Sequence, residues 1–152
     1  MNQYEKLLHE AFSFNVSVYE MPMRNKGLYS DGIVWINKGL PTNAERNCIL
    51  AEELGHYHTS SGNILDQRDI RNRKQELRAR QWAYERLVPL SSIVQAHKAK
   101  VKGRFEIAEY LGVTEEFLQA SIDRYRDKYG ILTSIDNYII FLDPLRVIEV
   151  VA

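Results

Sequence analysis

The sequence predicts an α+β fold, with a small antiparallel sheet and its first helices early in the chain and a helical region with short strands late. Three observations predict it. Residues 27–37 place an Asp-Gly pair between two apolar runs, residues 43–58 and 73–88 are dense in helix formers at helical spacing, and residues 134–152 read as two short strands around Asp143-Pro144.

In chain order, residues 4–12 space Leu7, Leu8, Ala11 and Phe12 as one helix face would, and Val16, Val18 and Met21 then alternate with polar residues as in a strand. Gly27-Leu28-Tyr29 and Ile33-Val34-Trp35-Ile36-Asn37 flank Ser30-Asp31-Gly32, a hairpin signal because both Asp and Gly tolerate positive φ. The 33–37 strand could offer its edge to an extended peptide or be an ordinary sheet edge. Thr42 can cap the next helix and Glu45, three residues on, can close a capping box, so a helix is expected over about 43–58. Residues 59–63 end it, and 64–72 form a polar connection. The following helix starts near Arg73, turns Ala79, Trp82, Ala83, Arg86 and Leu87 inward, and stops at Pro89. Residues 91–99, 105–111 and 115–129 are helical by pattern, divided by Gly103 and by Gly112-Val113-Thr114.

The 152 residues suit one ordinary domain with a small extension. Lys plus Arg and Asp plus Glu balance at 20 each, so the whole chain has no electrostatic bias toward nucleic acid or an anionic membrane. A hydrophobic fraction of 45%, with 9 Tyr and 5 Phe, fits a folded chain. The longest apolar runs, 138–142 and 147–152, fall far short of the roughly 20 residues of a membrane helix. The first residues lack a cationic-then-apolar secretory pattern, and Cys48 is the sole cysteine, which excludes an intrachain disulfide. A cytoplasmic setting is the expectation.

Chemistry concentrates in Glu52-Glu53-Leu54-Gly55-His56. Residues four apart on a helix lie within about 40° of each other, so Glu52 and His56 project side by side and could hold one ion. Glu53 points roughly 100° away, within reach of a water on that ion. This is the geometry by which H-E-x-x-H supplies two metal ligands and a general base. A third protein ligand is then required. Gly55 would let another segment approach closely. Taken alone, these five residues are more often an ordinary charged helix with His56 as a C-terminal cation favoured by the dipole.

A second motif shifts that balance. The stretch Cys48 to His56, followed by Glu76-Leu77-Arg78-Ala79-Arg80-Gln81-Trp82-Ala83 and Leu87-Val88-Pro89, resembles the ImmA/IrrE family of metallopeptidases. The resemblance covers about residues 1–90 well. It implies a zincin-like domain over 1–90, Glu76 as the third metal ligand beside Glu52 and His56, and Glu53 as the catalytic base. It further implies a zinc-dependent endopeptidase, often prophage or mobile-element encoded, whose protein substrate is a helix-turn-helix repressor. Residues 91–152 are then a helical extension with a β-like tail, packed on the first part. Glu52 stands where the family has its first histidine. Two carboxylates on the cation lower its effective charge and leave bound water less acidic, which makes Mn²⁺ a stronger competitor of Zn²⁺. The reading from a different class is a non-catalytic module that keeps the peptidase fold and binds a repressor or DNA.

Other residues read mainly as structure. His58 lies about 200° round the helix from His56 and cannot join its site while the helix continues. His9 and His97 stand alone in amphipathic segments. Tyr57 and Trp82 could line a cleft, though packing is the commoner fate of such rings. The basic residues Arg68, Arg71, Arg73, Lys74, Arg78 and Arg80 are interrupted by Asp66, Asp69 and Glu76, as on a solvated face. Residues 105–118 look similar to a helix-turn-helix, but the second helix opens with Glu115 and Glu116, which would face phosphates badly.

Overall fold

The computed structural model describes residues 1–59 and 70–151, with the backbone alone at 70–72. The chain divides into two compact units, 1–83 and 84–152.

In the first unit, α1 (Gln3–Ser13) is capped by Asn2, whose Oδ1 accepts from Glu5 N at 2.8 Å. Leu7 and Ala11 are buried as the spacing predicts. Phe12 instead is 80% exposed, because the buried stripe is narrower than the apolar run. Strands β1 (Ser17–Met21), β2 (Gly27–Ser30) and β3 (Ile33–Asn37) form a sheet in the order β1-β3-β2. The expected hairpin is β2–β3, with Ser30 opposite Ile33 and both turn residues at positive φ, Asp31 at 48° and Gly32 at 80°.

One expectation needs correction. β3 is the central strand, parallel to β1 and antiparallel to β2, so its edges are occupied and it has none to offer a peptide. β1 and β2 are the edges. The chain crosses from one edge to the other before the hairpin brings it back to the centre. Asn37 secures that crossing: Nδ2 donates to Met23 O at 3.0 Å and Asn25 O at 3.1 Å, and Oδ1 accepts from Gly39 N at 2.8 Å.

Helix α2 (Asn43–Thr59) follows, with Thr42 Oγ1 accepting from Glu45 N at 3.1 Å as the capping pattern predicts. Its buried Leu50, Ala51 and Leu54 complete a core with Leu7, Val34 and Ile36. Helix α3 (Ile70–Leu87) begins three residues before the expected start, and Ala79, Ala83 and Leu87 are its buried positions. Arg73, Lys74, Arg78 and Arg80 are exposed, as a solvated face requires. The expected helix stop at 60–63, most of the polar connection, Arg68 and the Arg71 side chain lie outside the described residues.

The second unit contains α4 (Leu90–Lys98), α5 (Arg104–Leu111) and α6 (Glu115–Tyr129). Gly112, left-handed at φ 72°, turns α5 toward α6, and Thr114 Oγ1 caps α6 by accepting from Phe117 N at 3.1 Å. The tail is a meander of three strands rather than two: β4 (Leu132–Ile135), β5 (Tyr138–Leu142) and β6 (Leu145–Glu149). The added strand β4 has little apolar alternation and an exposed Leu132. Phe117, Leu118, Ile122, Tyr138, Ile140 and Leu142 are all buried, and Tyr125 donates its hydroxyl to Val88 O at 2.9 Å. No described helix is long and apolar enough to cross a membrane.

Candidate functional site

Two glycines determine what can surround α2. A Cβ at Gly55 would collide with the backbone of Ala79, with its carbonyl carbon at 2.9 Å and its Cα at 3.1 Å, so α2 and α3 are in main-chain contact at this point. Gly55 therefore admits another segment, as its place in the motif suggested. A Cβ at Gly27 of β2 would stand 2.6 Å from Ile49 Cγ2 and 3.1 Å from Glu53 Cγ. The sheet edge thus lies directly against the glutamate.

Within this crossing, His56 Nε2 is 3.1 Å from Glu76 Oε2 and 3.7 Å from Glu53 Oε1, the latter too long for a hydrogen bond. His56 is 3% exposed and Glu53 8%, unusual values for ionisable groups on a helix. Glu53 Oε2 is buried and has no hydrogen-bond partner among the described residues. Burial raises the Glu53 carboxyl to about 7; His56 opposes the rise, while Glu76 and Glu52 add to it. Glu52 is also pushed upward by burial, against the pull of Arg80. Arg80 holds its Nε 3.7 Å from Glu76 Oε1, one helical turn away.

The structure thus brings together His56, Glu76 and Glu53. An imidazole nitrogen and a carboxylate oxygen 3.1 Å apart are near the separation of about 3.3 Å between neighbouring ligands on a tetrahedral zinc ion. The chemistry of these donors fits a divalent cation. Glu52 lies near enough for Glu76 to raise and His56 to lower its carboxyl, although among the described residues no three His, Cys, Asp or Glu side chains are close enough together to hold a metal. Helical spacing places Glu52 on the right face, but burial and the field of Arg80 act on its side chain as well.

His58 lies elsewhere, as its angle on the helix predicts. Its ring stacks on Trp82, with centroids 4.6 Å apart, and meets Phe14 and Tyr57 edge-on at 4.8 and 5.0 Å. Tyr57 in turn faces Tyr29 of β2 at 6.3 Å. Tyr57 and Trp82 therefore belong to a ring cluster beside the site. Sequence reading missed two residues at the site, Gly27 and Arg80. Only Arg80 carried a signal, its position four residues after Glu76.

The family model of the IrrE N-terminal-like domain (Peptidase_M78) matches residues 11–123, about three quarters of the chain. No curated protein matches it. The matched span contains both glutamate-bearing helices and the histidine that joins them, and the chain belongs to this IrrE N-terminal-like family of metallopeptidases.

Proposed function

We propose that the protein is a metal-dependent endopeptidase that inactivates a helix-turn-helix repressor by cleaving it. The observation that carries the peptidase reading is the grouping of buried Glu53 and His56 with half-buried Glu76, from two helices in main-chain contact. Zinc, with manganese as competitor, would be held by His56, Glu76 and Glu52, and would supply Lewis-acid polarisation of a peptide carbonyl and a more acidic water. Glu53 then accepts a proton on Oε2, the buried oxygen without a partner, and returns it to the leaving amine. A carboxyl near 7 suits both halves of that transfer. Edge strand β2, which packs against Glu53 at Gly27, offers main-chain groups to an extended substrate segment.

The repressor as substrate, and a prophage or mobile-element setting, rest on the resemblance to the ImmA/IrrE family. A cytoplasmic location rests on the single, buried Cys48. The test is incubation with a phage-type helix-turn-helix repressor. Cleavage by the wild type that disappears in Glu53→Gln supports the proposal, and cleavage that persists in the variant overturns the mechanism.

One observation favours a second reading. Arg80 already supplies positive charge to Glu76, with Nε 3.7 Å from Oε1. A non-catalytic module with this fold would bind the repressor intact, and Glu53→Gln would leave binding unchanged. The acidic first turn of α6 speaks against DNA as its ligand.

A further inference from the structure

The second unit contains a pocket of about 270 Å³ where α4, the 101–103 connection, α5 and β6 meet. Ile93, Ile107 and Val147 give it an apolar lining, and every ionisable side chain on its wall is basic: His97, Lys102 and Arg146. It shares Gly103, Ile107 and Leu145 with a second pocket of about 440 Å³. The charges of that neighbour are already engaged. Arg104 Nη1 donates to Gln119 Oε1 at 3.0 Å, and Asp143 Oδ2 pairs with Arg126 Nη1 at 3.0 Å. The side chains of Lys102 and Arg146 have no hydrogen bond or ion pair among the described residues. Gly103 stands at φ 86° with nothing within 4 Å of where a Cβ would be, which leaves the mouth open.

We propose that this pocket binds a small amphipathic carboxylate of the fatty-acid type, its chain on the apolar lining and its carboxylate between Lys102 and Arg146. An uncharged apolar ligand would make no use of the two cations, and a cationic amphiphile would meet a wall whose ionisable side chains are all basic, the nearby Glu106 carboxylate being engaged by Lys102 N at 3.3 Å. The volume of about 270 Å³ lies just below the range of about 300–1,000 Å³ for ligand sites, which suits a small ligand, whereas a stable peptide or protein partner needs an interface of roughly 1,000 Å² or more. The proposal is independent of the α2–α3 site.

The test uses the full chain and isothermal titration with sodium decanoate below its micelle concentration. Decanol, decyltrimethylammonium and acetate supply chain without charge, chain with opposite charge, and charge without chain. Saturable binding of decanoate, weaker binding of all three others, and a loss of about tenfold in affinity in Lys102→Met/Arg146→Met are the expected results. Methionine keeps an apolar stem at both exposed positions, and an unchanged circular dichroism melt confirms that the variant is folded. Because those positions also shape the rim, Val147→Asp provides a second disruption, from the pocket wall. No decanoate binding to the wild type, equal binding of decyltrimethylammonium, or unchanged affinity in the double variant would overturn the proposal. So would binding of an acidic, leucine-rich peptide in place of decanoate, which would mark the surface as a protein contact.

Discussion

His56 Nε2 and Glu76 Oε2 stand 3.1 Å apart because Gly55, the residue before the histidine, lets α2 touch the backbone of α3 at Ala79. The side-chain contact and the main-chain contact are one feature. A residue that widened the crossing would separate the two side chains.

Gly55→Ala should therefore lower stability by about 1–3 kcal/mol, since the new methyl meets rigid backbone rather than a side chain that can turn aside. Helix propensity alone would favour alanine there by about 1 kcal/mol. Urea denaturation decides between them: a variant as stable as the wild type would show that the crossing is looser than described.

Glu53 should give stability a specific pH dependence. Its carboxyl is raised from the ordinary 4.5 to about 7, so the folded state holds the proton more tightly than the unfolded state does. The associated stabilisation is fully present below about 4.5 and is lost as pH rises to about 7. In metal-free protein, Glu53→Gln should gain stability relative to wild type across that window, on the order of 3 kcal/mol. A constant difference from pH 4 to pH 8 would contradict the burial of this carboxylate as a charge.

Much of this was legible in the sequence, and the parts that were not share a cause. The Thr42 cap, the Asp31-Gly32 turn and the three helices after Pro89 are local, set by residues a few positions apart. Pairing of β1 with β3 is non-local: alternation at Val16 and Val18 marks a strand but names no partner, so β3 read as an edge when it is the centre. Strand β4 pairs with β5 despite little apolar alternation of its own. At the site, periodicity put Glu52 and His56 on one face of α2, and the second motif put Glu76 on α3. Whether the side chains converge depends on their rotamers and neighbours. His56 and Glu76 meet, and Glu52 lies in the fields of Arg80 and Lys26 as well.

Glu52→His tests what the carboxylate does to metal preference. A second imidazole restores the ligand set that suits zinc and removes one of the carboxylates that favour manganese. Zinc affinity should rise on the order of tenfold and manganese affinity should fall. Competition titration of the variant against wild type measures both. A variant with no gain for zinc would mean that position 52 does not face the ion.

Tyr125→Phe probes the second unit. The lost bond from Tyr125 Oη to the buried carbonyl of Val88, 2.9 Å long, should cost about 1 kcal/mol. Thermal melting would show it; an unchanged melt would mean that the Val88 carbonyl finds an equivalent partner.

The most direct test of the account is metal stoichiometry, measured by mass spectrometry of protein dialysed against zinc or manganese. The wild type is predicted to retain one ion per chain, and His56→Ala and Glu76→Gln to lose it while remaining folded. A wild type that retains none, or variants that retain as much as the wild type, would contradict the claim that α2 and α3 meet to form a metal centre.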